Sequence, residues 1–279
     1  MTISLPNLED LLSLARLEVS NGKLPSYIPL LSQVNPQSLA IAISDLDQEL
    51  LTAGDIHLTF PLMSAVKPFL FLYLLEVLGE ERVFERVDRQ ASLLPFNTIP
   101  DTKPANPMLN CGAIALASLL DSSQSLQDWL NQRSGANLSI DQHMLISVRS
   151  VNNRRNLAIA YQLQKLGIIN NPEQALATYE EICCLSCNVI DLAKIGTLLI
   201  RAEVPNVNKV LEVMTACGMY ETSIAFAQEI GLSSKSSVSG ALLSIVPNQI
   251  AIACYSPALD SVGNSVAGMF LLKQIKDYL

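Results

Sequence analysis

Apolar residues recur along the chain with two different periods, and the change from one to the other marks the elements. Residues 7–19 carry Leu8, Leu11, Leu12, Leu14 and Leu17 at helical spacing, with Asn7 expected as the cap ahead of Glu9 and Asp10. A turn follows at Asn21-Gly22. Residues 39–44 and 49–53 read as two short strands joined by an Asp-rich turn, a hairpin. From Ser64 to about residue 226 the pattern is helical almost throughout, with loops predicted at 94–107, 134–137 and 152–155. Strand character returns in 238–246 and 249–255, with Pro247-Asn248 as the turn between them. A last helix is predicted over 261–278.

Strands at both chain ends with helices between them predict an α+β fold. One sheet draws its strands from both termini and is packed by helices, and the middle forms a mostly helical lobe. A single domain over 1–279 is expected, with the sheet part at about 1–63 and 230–279 and the lobe at about 64–229. A site belongs in the cleft between the two. Ser64, at the entry to the lobe, and Lys235, just before the returning strand, both map to that boundary.

Composition narrows the picture. Hydrophobic residues make up 49% of 279 and charged ones 16%, so most helices are expected to be buried on more than one side. No apolar run reaches the roughly eighteen residues of a membrane span. Net charge is −8 with no basic cluster, which argues against a nucleic-acid partner and against binding to anionic membranes. The first ten residues lack the basic and then apolar regions of a secretory signal, so a cytoplasmic location is the default expectation. Six cysteines lie in apolar contexts rather than in a disulfide framework. Cys183, Cys184 and Cys187 cluster, but no histidine or further cysteine pair lies nearby in sequence to complete a zinc site, so structural burial is the expected role.

Chemistry is concentrated in Phe60-Pro-Leu-Met-Ser64-Ala-Val-Lys67-Pro-Phe69, which leads directly into an apolar helical run. A spacing of three puts Ser64 and Lys67 on one face of a helix. A lysine whose pKa is lowered by burial can take the proton of a serine hydroxyl as it attacks a carbonyl. Such a pair makes an acyl-transfer enzyme that needs no catalytic histidine, and the chain has only His57 and His143, in no triad pattern. The same spacing at Ser20 and Lys23 falls in a turn composition with no helix behind it, so the spacing alone is not diagnostic.

Longer motifs give the chain a family. Tyr27-Ile-Pro, Gly54-Asp55, Ser64-Ala-Val-Lys67-Pro, Leu94-Pro-Phe-Asn97, Asn106-Pro-Met-Leu-Asn110-Cys-Gly-Ala-Ile114, Arg155-Asn156, Cys217-Gly-Met-Tyr220, Lys235-Ser236 and Ser256-Pro-Ala-Leu-Asp260-Ser-Val-Gly-Asn-Ser-Val266 occur in this order. The chain resembles the serine-dependent glutaminases, relatives of the β-lactamases and penicillin-binding proteins, from about Gly22 to the final helix. The resemblance implies a β-lactamase-like fold and hydrolysis of glutamine to glutamate and ammonia through an acyl-enzyme. It implies Ser64 as nucleophile, with Lys67 and Tyr220 sharing the proton traffic. The backbone amides of Ser64 and Val238 would form the oxyanion hole, and Tyr27, Asn110, Asn156 and Tyr179 would bind the amino-acid head group beside Tyr220 and Val238. A lysine beside Tyr220 is expected to lower the phenol's pKa. The resemblance also implies no metal or organic cofactor and a homodimer or homotetramer. Read without the motif, the three tyrosines could be packing residues and Asn110 and Asn156 helix caps.

Four departures bear on recognition. Relatives carry a glutamate before Arg155-Asn156 that binds the substrate's ammonium. This chain reads Ser147-Val-Arg-Ser-Val-Asn-Asn-Arg-Arg-Asn156, with Val148 or Arg149 at that place. Loss of a carboxylate facing a partly desolvated ammonium costs about 2–5 kcal/mol. Met63 stands where relatives have glutamine, and Ser237 and Ile224 replace glycines, which is expected to narrow the pocket. The reading is therefore a glutaminase, or alternatively a diverged homologue with a binding role or a shifted amide substrate. A penicillin-binding or β-lactamase activity is disfavoured by the lack of a secretory signal.

Overall fold

A computed structural model describes residues 4–92, 94–151 and 154–279. Its larger sheet has five antiparallel strands: β1 (Ala40–Asp45), β2 (Leu50–Gly54), β6 (Ser233–Ser236), β7 (Ala241–Val246) and β8 (Ile250–Tyr255), in the order β2-β1-β8-β7-β6. Both ends of the chain thus meet where β1 pairs with β8, Ala40 opposite Tyr255. The β1–β2 hairpin is closed by Asp45, whose carboxylate accepts from the amides of Asp47 (3.0 Å) and Glu49 (2.9 Å).

Helices cover both faces of this sheet, which is why β1, β7 and β8 read as nearly unbroken apolar runs. On β1, Ile41 and Ile43 enter the core shared with α1 (Leu5–Glu18) and α11 (Val266–Ile275), while Ala40 and Ala42 enter the larger core on the opposite face. There α8 (Val189–Gly196) lies against β1 and β8.

The remaining helices build the lobe: α2 (Lys67–Phe84), α3 (Asn110–Ala117), α4 (Ser123–Ser134), α5 (Gln142–Ser150), α6 (Arg154–Lys165), α7 (Pro172–Cys183), α9 (Pro205–Cys217) and α10 (Ser223–Glu229). Three short strands were not expected from sequence, two of them inside the stretch read as helical. They are β3 (Phe60–Pro61), β4 (Ser139–Ile140) and β5 (Leu185–Cys187), paired in the order β3-β5-β4. At two or three residues each, they offer no period to detect.

Other boundaries shift. Ser4, not Asn7, is the N-cap of α1, and Asn7 lies inside the first turn. The returning strand begins at Ala241, because Ser237–Gly240 closes as a turn with Gly240 N donating to Ser237 O (2.9 Å). Strand β6, before that turn, was not expected. Of the predicted loop at 152–155, Asn152 and Asn153 lie outside the described residues, and α6 already begins at Arg154.

Candidate active site

Strand β3 delivers the chain to the site. After Pro61, Leu62 N donates to Leu185 O (2.8 Å), and the short 3₁₀ turn Met63–Val66 runs into α2 at Lys67. In a 3₁₀ turn residues three apart eclipse one another, so Ser64 and Lys67 share a side more closely than in an ideal α-helix. Met63, just before the serine, holds φ = +46°, and Tyr220 holds +53°. A non-glycine residue in that region costs about 1–3 kcal/mol and persists where the surroundings over-determine it.

Lys67 is fully buried beneath Ser64. Its Nζ donates to Met108 O and Asn110 Oδ1, both at 2.8 Å, and lies 5.9 Å from the Tyr179 ring centroid. Burial lowers its pKa to about 8, with weaker upward pulls from Cys183 and Cys111. A lysine tuned this way is neutral in part at ordinary pH and can accept a proton.

Tyr220 arrives from the far side of the chain. Gly218 makes this possible, since a Cβ there would stand 1.8 Å from Ser234 O. The Tyr220 hydroxyl donates to Ser236 O (3.3 Å), its side chain hydrogen-bonds Ser64, and its ring lies 5.2 Å from that of Phe96. Lys235 Nζ sits 4.7 Å from the Tyr220 ring centroid and donates to the carbonyls of Gly218 and Ser236. The expected lowering of the phenol's pKa by a lysine is not found. Burial pushes Tyr220 well above the ordinary tyrosine value, against the smaller effect of the Ser64 hydrogen bond. The pKa of Lys235 is itself lowered, by burial first and then by Lys67.

In front of these groups opens a cavity of about 480 Å³. Tyr27, Ser64, Asn110, Asn156, Tyr179 and Val238 line it, while Lys67 and Tyr220 are buried and are not among its lining residues. Tyr27 is half exposed at the mouth. Asn110 is the hub: its Oδ1 accepts from Lys67 and from Tyr179 Oη (3.2 Å), and its Nδ2 donates to Asn156 Oδ1 (3.0 Å). It therefore does not cap α3, whose N-cap is Leu109. The cap-like bonds at that turn come from Asn106 Oδ1, which accepts from Met108 N and Leu109 N. Val238 occupies the turn between β6 and β7.

The departures resolve unequally. Val148 lines the cavity, whereas Arg149 turns away to pair with Glu180 (3.3 Å) and Glu181 (3.2 Å). Met63 also reaches the wall. Ser237 is spent on Leu62 O (2.8 Å), and Ile224 is exposed on α10 beside a separate surface groove, so the two replaced glycines do not narrow this cavity. Lining groups given no site role from sequence include Arg155, Cys183 and Glu180. Cys183 is buried with its pKa pushed up to about 12, so it stays a thiol. Glu180, buried on α7, is the acid on the wall among the described residues. Its sequence signal is weak, because it is one of three glutamates in α7 and is marked only by standing next to Tyr179.

An antiparallel sheet drawn from both termini, a helical lobe, and a serine, lysine and tyrosine gathered at their boundary define a β-lactamase-like α+β protein. The family model described as Glutaminase matches residues 22–279, and the chain belongs to the glutaminase family. It is 40% identical over 281 residues to a glutaminase of Synechocystis sp., an alignment spanning 95% of this chain and 86% of that protein. Among solved structures, a probable glutaminase named ybaS superposes with a TM-score of 0.91 at 29% identity, covering 99% and 97% of the two chains. A probable glutaminase from Bacillus subtilis complexed with 6-diazo-5-oxo-L-norleucine gives 0.88 at 27% identity, covering 100% and 95%.

Proposed function

We propose that the chain hydrolyses L-glutamine to L-glutamate and ammonia through an acyl-enzyme on Ser64. The observation that carries this reading is Ser64 at the cavity wall, hydrogen-bonded to Tyr220 and one turn from a buried Lys67 whose pKa is lowered to about 8. Neutral Lys67 takes the Ser64 proton as Oγ attacks the side-chain amide carbon. The oxyanion is received by the backbone amides of Ser64 and Val238. Tyr220, kept protonated by burial, gives its proton to the departing nitrogen as the C–N bond breaks. The resulting phenolate is strongly basic and recovers a proton from the Lys67 ammonium. Water then cleaves the ester by the reverse relay and releases glutamate.

Substrate class is supported by the wall and by the Bacillus subtilis relative, whose bound amino acid carries a ketone at side-chain position five. Tyr27, Asn110, Asn156 and Tyr179 offer the neutral polar groups a zwitterionic head requires. Free thiols on all six cysteines fit a reducing cytoplasmic compartment. No helix among the described residues is long and apolar enough to cross a membrane. An assembly of two or four copies is part of the same proposal and is tested by sedimentation.

Ammonia release from millimolar glutamine, abolished in Ser64→Ala, is the expected result. Background release by the unmutated chain overturns the reading. Val148 at the place of an expected carboxylate favours one second reading, an amidohydrolase for an amide without a free α-amine. Faster turnover of such an amide than of glutamine would establish it.

A further inference from the structure

We infer that Glu180 supplies the carboxylate that receives the substrate's α-ammonium, replacing from α7 the acid that α5 lacks. The inference rests on the glutaminase reading and names a recognition element within it. A helix places residues i, i+1 and i+4 on one continuous face, and α7 turns Tyr179, Glu180 and Cys183 toward the cavity together. Val148 of α5, which lines the same cavity, contributes only a methyl-bearing surface. An ammonium held there against Val148 alone would be desolvated without compensation.

Arg149 does not cancel the acid. Its Nε meets Glu180 Oε2 at 3.3 Å and its Nη2 meets Glu181 Oε1 at 3.2 Å, so one guanidinium serves two carboxylates and the trio keeps one net negative charge. Glu181 is further tied to Ser123 Oγ (2.7 Å), which anchors the arginine away from the cavity. Glu180 is 8% exposed, so a charge meeting it is poorly screened. The ion pair with Arg149 holds the carboxylate in place.

The test compares glutamine with glutaramate, which is glutamine without its α-amine, in the unmutated chain, Glu180→Gln and Arg149→Gln. Glu180→Gln is expected to lower kcat/KM for glutamine roughly 10- to 100-fold, mostly through KM. It should leave glutaramate within about twofold, because that substrate has no ammonium to lose. Arg149→Gln keeps the acid and should keep the preference for glutamine. Equal losses on both substrates mean that Glu180 only supports the fold, and overturn the inference, as does an unchanged rate on glutamine. Where Glu180→Gln fails to fold, Glu180→Asp is measured instead. Retained preference supports the inference, and equal losses overturn it. Absence of both turnover and calorimetric binding of glutamine in the unmutated chain overturns the glutaminase reading, and this inference with it.

Discussion

Lys67 Nζ and Asn110 Oδ1 lie 2.8 Å apart, and the same oxygen takes the Tyr179 hydroxyl at 3.2 Å. The amide thus solvates the lysine without neutralising it. A neutral acceptor stabilises the ammonium less than a carboxylate does, which lets burial keep the pKa low.

The Asn110→Asp variant therefore adds a charge where the fold provides none. An opposite charge at this distance raises a pKa by about 1–3 units. The unmutated enzyme should gain activity as pH rises through about 8, where Lys67 loses its proton. In Asn110→Asp that limb should move upward, with slower turnover at pH 7.5. An unmoved limb in the pH profile of ammonia release would exclude Lys67 as the base.

Stability should follow the same group. The folded pKa of about 8 lies below the unfolded lysine value, so between the two the unfolded chain binds more protons. Below pH 8 both states are charged and the cost of the buried ammonium is fully felt. Lys67 therefore makes the protein more stable as pH rises from about 8 to about 10.4. Lys67→Met should remove that increment, about 3 kcal/mol by the linkage arithmetic. Urea unfolding of both proteins at pH 7.5 and 10 measures it, and identical pH dependence would refute it.

For Tyr220 the prediction separates chemistry from packing. Tyr220→Phe keeps the ring against Phe96 and loses the hydroxyl that touches Ser64 and Ser236 O. Its kcat should drop about 10²- to 10⁴-fold, the usual worth of a positioned proton donor. The melting temperature should change little. A rate close to that of the unmutated enzyme would assign proton delivery to another group.

Gly218→Ala probes how the tyrosine is placed. A Cβ 1.8 Å from Ser234 O and 2.6 Å from Met214 O forces α9 away from β6. A loss of about 2–3 kcal/mol or more is expected, together with activity, because Tyr220 follows two residues later. Thermal denaturation of a fully active, equally stable variant would contradict this close approach.

Much of the frame was legible from local pattern. The β1–β2 hairpin, the β7–β8 turn at Pro247-Asn248 and the apolar helix after Ser64 all carry their own period or turn chemistry. What escaped detection lacked such a signal. Strands β3, β4 and β5 are too short to show alternation, and the bond from Lys67 to Asn110, 43 positions away, has no local signature that separates it from a cap. The phenol's pKa goes the other way from expectation because the expectation weighs its proximity to a lysine and not its own burial.

From its residues alone this chain determined that a serine and a lysine would share one side of a helix start, and that its two ends would join in one sheet. Both follow from short-range geometry and period. Only the tertiary structure decided that Lys67 would lie dry enough to shed its proton, that Tyr220 would reach Ser64, and that Glu180 and Val148 would line one cavity. Desolvation and charge pairing depend on groups distant in the chain, and packing alone brings them together.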